Sequence, residues 1–404
     1  MQNNWRIGTI FGIPLFINSS WLIILALMTY SNSITYQQWG IWQSWVAGLA
    51  IALLLFGSVL LHELGHSLVA LSQNIQVNSI TLFLFGGIAA IAEEPKTPGK
   101  AFQVAIAGPL VSFGLFITLG LVAEIFPSDS LFNEALASLA NINLILAAFN
   151  MIPGLPLDGG QVLRAIVWKI TGNPFTGVRW AAKTGQTLGW FAITLGVYNA
   201  LTTGNYGSLW LALLGWFALT NASAYDRFSQ YQEALLKIKA GEIMTREYRV
   251  VEANLTLQQF ANQYLAENTR YPAYFATSDG RYRGLVSLDA LRFIERSYWD
   301  KETLNMIITP MAELPVVREN TDLVDVILAM ENTEQKLMTV LSPADAVAGV
   351  LDRGDIVRAI AQFLKMPISS TEIQRIKDEG AYPPNLNLGA IANMARRTSG
   401  KPEN

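Results

Sequence analysis

Apolar and polar positions divide the chain near residue 230. Before that point the apolar residues run in long blocks, and after it they alternate in short ones. Six blocks reach the roughly 20 residues needed to cross a bilayer: 13–31, 45–71, 101–126, 132–152, 179–201 and 207–225. Beyond Arg227 a helical linker is expected to about Lys239, followed by a pattern that reads strand, helix, two strands, helix. That pattern occurs twice. Ile243-Met244-Thr245 is echoed by Ile307-Ile308-Thr309, and Gly284-Leu285-Val286-Ser287 by Gly349-Val350-Leu351-Asp352. The predicted fold class is a polytopic α-helical membrane protein with six transmembrane helices, joined to an α/β tandem repeat. Residues 1–226 form the membrane domain, 227–240 the linker, 241–298 and 305–363 the two repeats, and 364–404 a tail that is partly disordered in its last ten or so residues. Within it 371–379 offers an amphipathic helix as a partner site, but a loose tail is the favoured reading.

Charge sharpens this division. Residues 1–230 hold eight Lys/Arg, namely Arg6, Lys96, Lys100, Arg164, Lys169, Arg179, Lys183 and Arg227, and they all fall on one side of the predicted spans. The segments 32–44, 127–131 and 202–206 on the other side carry none. The positive-inside rule then places both termini and the repeat domain in the cytoplasm of a multi-pass protein of the cell membrane. A net charge of −3 argues against a nucleic-acid partner. The absence of cysteine removes disulfides and thiolate metal ligands.

The chain has two histidines, and they stand four apart in His62-Glu63-Leu64-Gly65-His66. On a helix, positions i and i+4 share a face, so both imidazoles can reach one metal while Glu63 reaches its water. The run from Trp45 to Leu71 contains no other formally charged residue. Ionisable groups in such a run point to function. A catalytic zinc needs a third protein ligand, and here it must be Asp or Glu. Glu124, Asp129 and Glu134 lie on the far side of the predicted spans, Asp226 follows the last span, and Glu93 and Glu94 sit in a polar loop. Asp158 follows an inward-running span, between apolar residues, glycines and two prolines. It is the expected third ligand, the alternative being a turn or cap acid before a helix over 161–170. For Gly108, Pro109 and Ser112, close helix packing is the favoured reading.

These residues resemble the site-2 proteases, intramembrane zinc metalloproteases. The matching segments are His62–His66, Asn150…Pro153…Pro156-Leu157-Asp158-Gly159, Phe85-Gly86-Gly87-Ile88 and Ala107-Gly108-Pro109 with Ser112. The resemblance implies one zinc ion per subunit on His62, His66 and Asp158, a catalytic acid/base at Glu63, and a substrate-contacting or transition-state role for Asn150. It likens Thr81–Ile91 to short membrane-embedded strands to which a substrate adds. Implied substrates are single-span membrane proteins, such as anti-sigma factors or remnant signal peptides, cut near the cytoplasmic side of the lipid bilayer.

The repeat region resembles a tandem CBS pair. CBS pairs commonly bind adenine nucleotides such as ATP or AMP and form homodimers. Asp355 matches the acid that contacts ribose, but Asp352 stands where a hydroxyl residue is usual, so a dimerisation-only role remains open. Two other classes fit parts of the pattern. A CBS-regulated metal transporter would need polar residues spread through the bilayer. A non-catalytic membrane binding protein would not need Glu63.

Overall fold

The computed structural model describes residues 4–83, 86–266, 271–333, 335–383 and 386–398. They form two compact units, Met1–Ser229 and Gln230–Asn404.

The first unit opens with a hairpin of β1 (Asn4–Ile10) and β2 (Ile13–Asn18). Phe11 and Gly12, with φ of 50° and 81°, make its two-residue turn. The helix α1 (Ser20–Thr35) follows. The expected span over 13–31 therefore begins too early, because residues 13–18 pair with β1. At 16 residues, α1 is about 24 Å long. After α2 (Ile41–Ser72) come β3 (Val77–Phe83) and β4 (Gly86–Ile91). The four strands make one sheet in the order β1-β2-β3-β4, which leaves β4 at an edge. Phe85 lies outside the described residues. Ile13, Leu15, Val77 and Ile80 from the sheet share a buried core with Leu64 and Ala70 of α2, so the sheet rests on the helix that carries the histidines.

The remaining helices of this unit are α3 (Pro98–Ala123), α4 (Leu131–Asn150), α5 (Asp158–Thr171), α6 (Pro174–Thr203) and, as far as Ser229, α7 (Leu209–Lys237), whose last residues belong to the second unit. Among the described residues, α2, α3 and α4 are long and apolar enough to cross a membrane. Small residues set the closest approaches, as expected where lipid removes the hydrophobic drive between helices. Gly65 lies against Ala107 and Val111 of α3, and Gly189 against Gly215 of α7.

In the second unit, α8 (Ala240–Ile243) precedes β5 (Arg249–Glu252), α9 (Leu257–Phe260), β6 (Tyr274–Ser278), β7 (Arg281–Val286) and α10 (Leu288–Arg292). The pattern then recurs as β8 (Ile308–Pro310), β9 (Val316–Arg318), α11 (Leu323–Thr333), β10 (Leu337–Leu341), β11 (Val347–Asp352) and α12 (Arg353–Phe363). The two sheets run β5-β6-β7-β8 and β11-β10-β9. Each borrows from the other repeat. The entry strand of the second repeat, β8, pairs with β7 of the first, and Thr245 of the first bridges to Val350 of the second. This explains the echoed glycines. A Cβ on Gly349 would stand 2.7 Å from the Thr245 carbonyl oxygen, and one on Gly284 would strike the Thr309 carbonyl.

The segment after 363 is not the loose tail expected. It contains α13 (Ser370–Glu379) and α14 (Leu388–Thr398). Ile376, Leu388, Ala392 and Ala395 enter the same core as α11 and α12. Burying Ile376 and Leu388 contributes about 1.5–3 kcal/mol each. The amphipathic helix near 371–379 is legible in the sequence and matches α13, but the core that covers its apolar face is not. Pro384 and residues 399–404 lie outside the described residues.

Candidate active site

His62 and His66 lie on one face of α2 and are 4% and 8% exposed. Opposite them, α5 begins at Asp158, whose carboxylate turns to the histidines. Its Oδ2 is 3.0 Å from His62 Nε2 and 3.3 Å from His66 Nε2, and the two Nε2 atoms are 3.3 Å apart. Among the described residues this trio is the group able to hold a metal ion.

The donor chemistry fits zinc. His66 Nδ1 lies 2.7 Å from the Val104 carbonyl oxygen. A carbonyl only accepts, so Nδ1 carries the proton and Nε2 presents a lone pair. That lone pair faces a carboxylate oxygen, so the neutral ring and the carboxylate together offer two acceptors that a metal ion between them would satisfy. Bonds of about 2.0–2.2 Å at tetrahedral angles put ligand atoms about 3.3–3.6 Å apart; two of the three edges here are 3.3 Å, and the His62–Asp158 edge, at 3.0 Å, is somewhat shorter.

Several backbones are shaped to this geometry. A Cβ on Gly108 of α3 would stand 2.6 Å from His62 Nε2 and closer still to His66 Nε2. The packing expected of Gly108 is thus against the imidazoles themselves. Ser112, expected to pack, does more: it is fully buried and its Oγ lies 2.9 Å from His62 Nδ1, which fixes that ring as Val104 fixes the other. The loop before Asp158 is held just as closely. Leu155 N–H donates to the Ala181 carbonyl of α6 at 3.1 Å, and a Cβ on Gly160 would strike the Gly154–Leu155 backbone. Asp158 opens its helix, but Leu157 is the N-cap residue. The alternative cap role is therefore not what the carboxylate performs.

Glu63 faces β4. A Cβ on Gly87 would stand 3.0 Å from the Glu63 Cδ, and the carboxylate accepts from the Ala89 backbone N–H. The carboxylate thus lies against the edge strand. Asn150, the last residue of α4, brings its Nδ2 to 3.4 Å from His62 Nε2. Of the excluded acids, Glu94 pairs with Arg164 of α5 and Glu134 accepts from Trp39 Nε1 at 3.2 Å. Neither approaches the histidines.

A buried two-histidine, one-aspartate cluster on H-E-x-x-H spacing, with a carboxylate beside it, defines a zinc metalloprotease set among membrane helices. The chain belongs to Peptidase family M50, whose family model matches residues 50–135 and 125–195. It is 39% identical to a candidate zinc metalloprotease of Synechocystis sp. over 89% of this chain and 96% of that protein. Identity to a zinc metalloprotease of Methanocaldococcus jannaschii is 28%, over 89% and 97% of the two chains. A solved site-2 protease from Methanocaldococcus jannaschii aligns with 31% identity over 55% of this chain and 95% of its own, at a TM-score of 0.41. The CBS domain model matches residues 240–295.

In the second unit, the ribose contact expected at Asp355 meets a closed side chain. Asp355 is 2% exposed. Its Oδ1 accepts from Lys377 Nζ at 2.8 Å and Arg358 at 3.3 Å, and its Oδ2 from Thr245 Oγ1 at 3.2 Å and the Asp352 N–H at 3.3 Å. Lys377, from α13, also binds Asp352 Oδ2 at 2.8 Å. Burial pulls the Lys377 pKa down, but its bonds to Asp352 and Asp355 outweigh this and leave it raised. Its stabilising contribution is complete below the ordinary lysine value of 10.5 and is lost as pH climbs through the raised value. The latch is therefore charged at neutral pH. Isothermal titration of the full chain with ATP or AMP is expected to show no binding at millimolar ligand. Micromolar binding would mean that α13 is displaced.

Proposed function

We propose that the protein cuts peptide bonds within or next to the transmembrane segments of single-span membrane proteins. The observation that carries this reading is the triangle of three inward-facing acceptors beside Glu63, at the edge strand β4 and inside the apolar helix α2. His62, His66 and Asp158 would hold one zinc ion, which supplies an acidified water and a Lewis acid for the scissile carbonyl. Glu63 takes the proton from the attacking water and returns it to the leaving amide nitrogen. The Asn150 amide N–H donates to the oxygen on which negative charge develops. A substrate helix shields its own peptide bonds, so the segment to be cut unwinds and adds to β4 through main-chain hydrogen bonds.

We place α1 with its flanking turn, α6 and α7 across the bilayer beside α2, α3 and α4. That gives six spans, with the termini, the CBS pair and the site toward the cytoplasm, as the eight basic residues of the membrane part indicate. Because α13 closes Asp355, the reading of the CBS pair favoured here is a homodimerisation module.

The reading predicts chelator-sensitive cleavage. Purified protein in lipid should cut a model single-span substrate within or beside its span, stop when metal is stripped, and recover with zinc. Cleavage that survives complete metal removal would refute it, and zinc flux without cleavage would favour a transporter.

A further inference from the structure

α4 carries Asn143 and Asn150 two turns apart, on one face. Asn143 is completely buried. Its Nδ2 donates to Ser58 Oγ of α2 at 3.1 Å and to the Leu139 carbonyl at 2.9 Å. Ser58 spends its own proton on the Leu54 carbonyl. Two acceptors thus fix which way the Asn143 amide points, and its Oδ1 has no partner among the described residues. A bare acceptor in a buried seam costs more than one interhelical hydrogen bond usually returns in a membrane. A leucine of similar size would avoid that cost. Stability alone does not account for an asparagine here.

What the contact does fix is register. Ser58 precedes His62 by one turn of α2, and Asn143 precedes Asn150 by two turns of α4. The contacts Ser58–Asn143 and His62–Asn150 run in the same direction along both helices, so α2 and α4 lie parallel at this seam. At 3.4 Å from His62 Nε2, the Asn150 amide is at the limit of reach. A slip of one residue would move it about 1.5 Å along the axis and about 100° around it.

We propose that Asn143, through Ser58, is a positioning residue that holds α4 in the register at which Asn150 serves the metal site. This rests on the reading of Asn150 as a donor to the developing oxyanion. The test is a double-mutant cycle on the full chain in lipid, with a model single-span substrate. Asn150→Ala alone should lower kcat about a hundredfold. Asn143→Leu alone should lower kcat about tenfold with KM and zinc content unchanged. Added to Asn150→Ala, it should cost nothing further, because no amide remains to be positioned. A bundle merely loosened would lose activity equally in both backgrounds. A further tenfold loss in the Asn150→Ala background therefore overturns the proposal, as does wild-type kcat in Asn143→Leu. Wild-type kcat in Asn150→Ala would remove the role of Asn150 itself. Ser58→Ala takes away only the acceptor, and carries the same test if the leucine variant does not fold. It should lower kcat about threefold, and this loss too should vanish in the Asn150→Ala background.

Discussion

Glu63→Gln should stop proteolysis and leave the zinc in place. The substitution keeps the shape of the side chain against Gly87 of β4 and leaves His62, His66 and Asp158 untouched. What it removes is the group that accepts and returns a proton. General acid–base catalysis contributes about 10²–10⁴-fold. Here one carboxylate serves both the attack and the departure, so a loss of about 10³-fold in kcat is expected, near 4 kcal/mol. Metal analysis of the purified variant should still find one zinc per chain. Cleavage at the wild-type rate would show that some other group moves the proton.

Gly108→Ala should have an effect as large by the opposite route. Its methyl group would stand 2.6 Å from His62 Nε2 and closer to His66 Nε2. Neither ring can yield freely, because the Val104 carbonyl and Ser112 Oγ hold their far nitrogens. Either α3 moves away or the imidazoles turn, and both open the ligand triangle. Zinc content should fall from about one to near zero at metal concentrations that fill the wild type, with activity falling in step. Gly114→Ala is the matched control on the same helix, since a Cβ there meets nothing within 4 Å. It should bind zinc normally and be stabilised slightly, by about 0.4–1 kcal/mol. Full zinc occupancy in Gly108→Ala would show that the site is looser than its packing indicates.

Much of the site was legible because its residues are chemically out of place. Two histidines and a glutamate in an apolar run have few explanations, and Asp158 could be chosen by its side of the spans together with its apolar, Gly- and Pro-rich setting. Ser112 was not legible in the same way. A serine in an apolar helix reads as a small packing residue, and only the facing ring shows its use. The residues that hold the Asp158 loop from α6, Ala181 through its carbonyl and Gly185 through its missing side chain, have no local signal. The β1–β2 hairpin was hidden because Ile13-Pro14-Leu15-Phe16-Ile17 is apolar enough to open a span. The turn signal at Phe11-Gly12 was the available clue. In the tail, the face carrying Ile373 and Ile376 was visible, but what covers it depends on residues far earlier in the chain. The repeat was readable from its echoes, whereas the exchange of strands between repeats was not, since periodicity says nothing of which sheet a strand joins.

That exchange has a consequence for how this region can be inherited and cut. With β8 closing the first sheet and Thr245 bridging into the second, a single repeat is not a module. Taken alone, residues 241–298 would leave β7 with an open hydrogen-bonding edge, an invitation to aggregation. Gly349 would lose the backbone it was shaped to receive. The two repeats must therefore be gained, lost and folded as one piece, and the smallest portable part of this half of the chain is the pair.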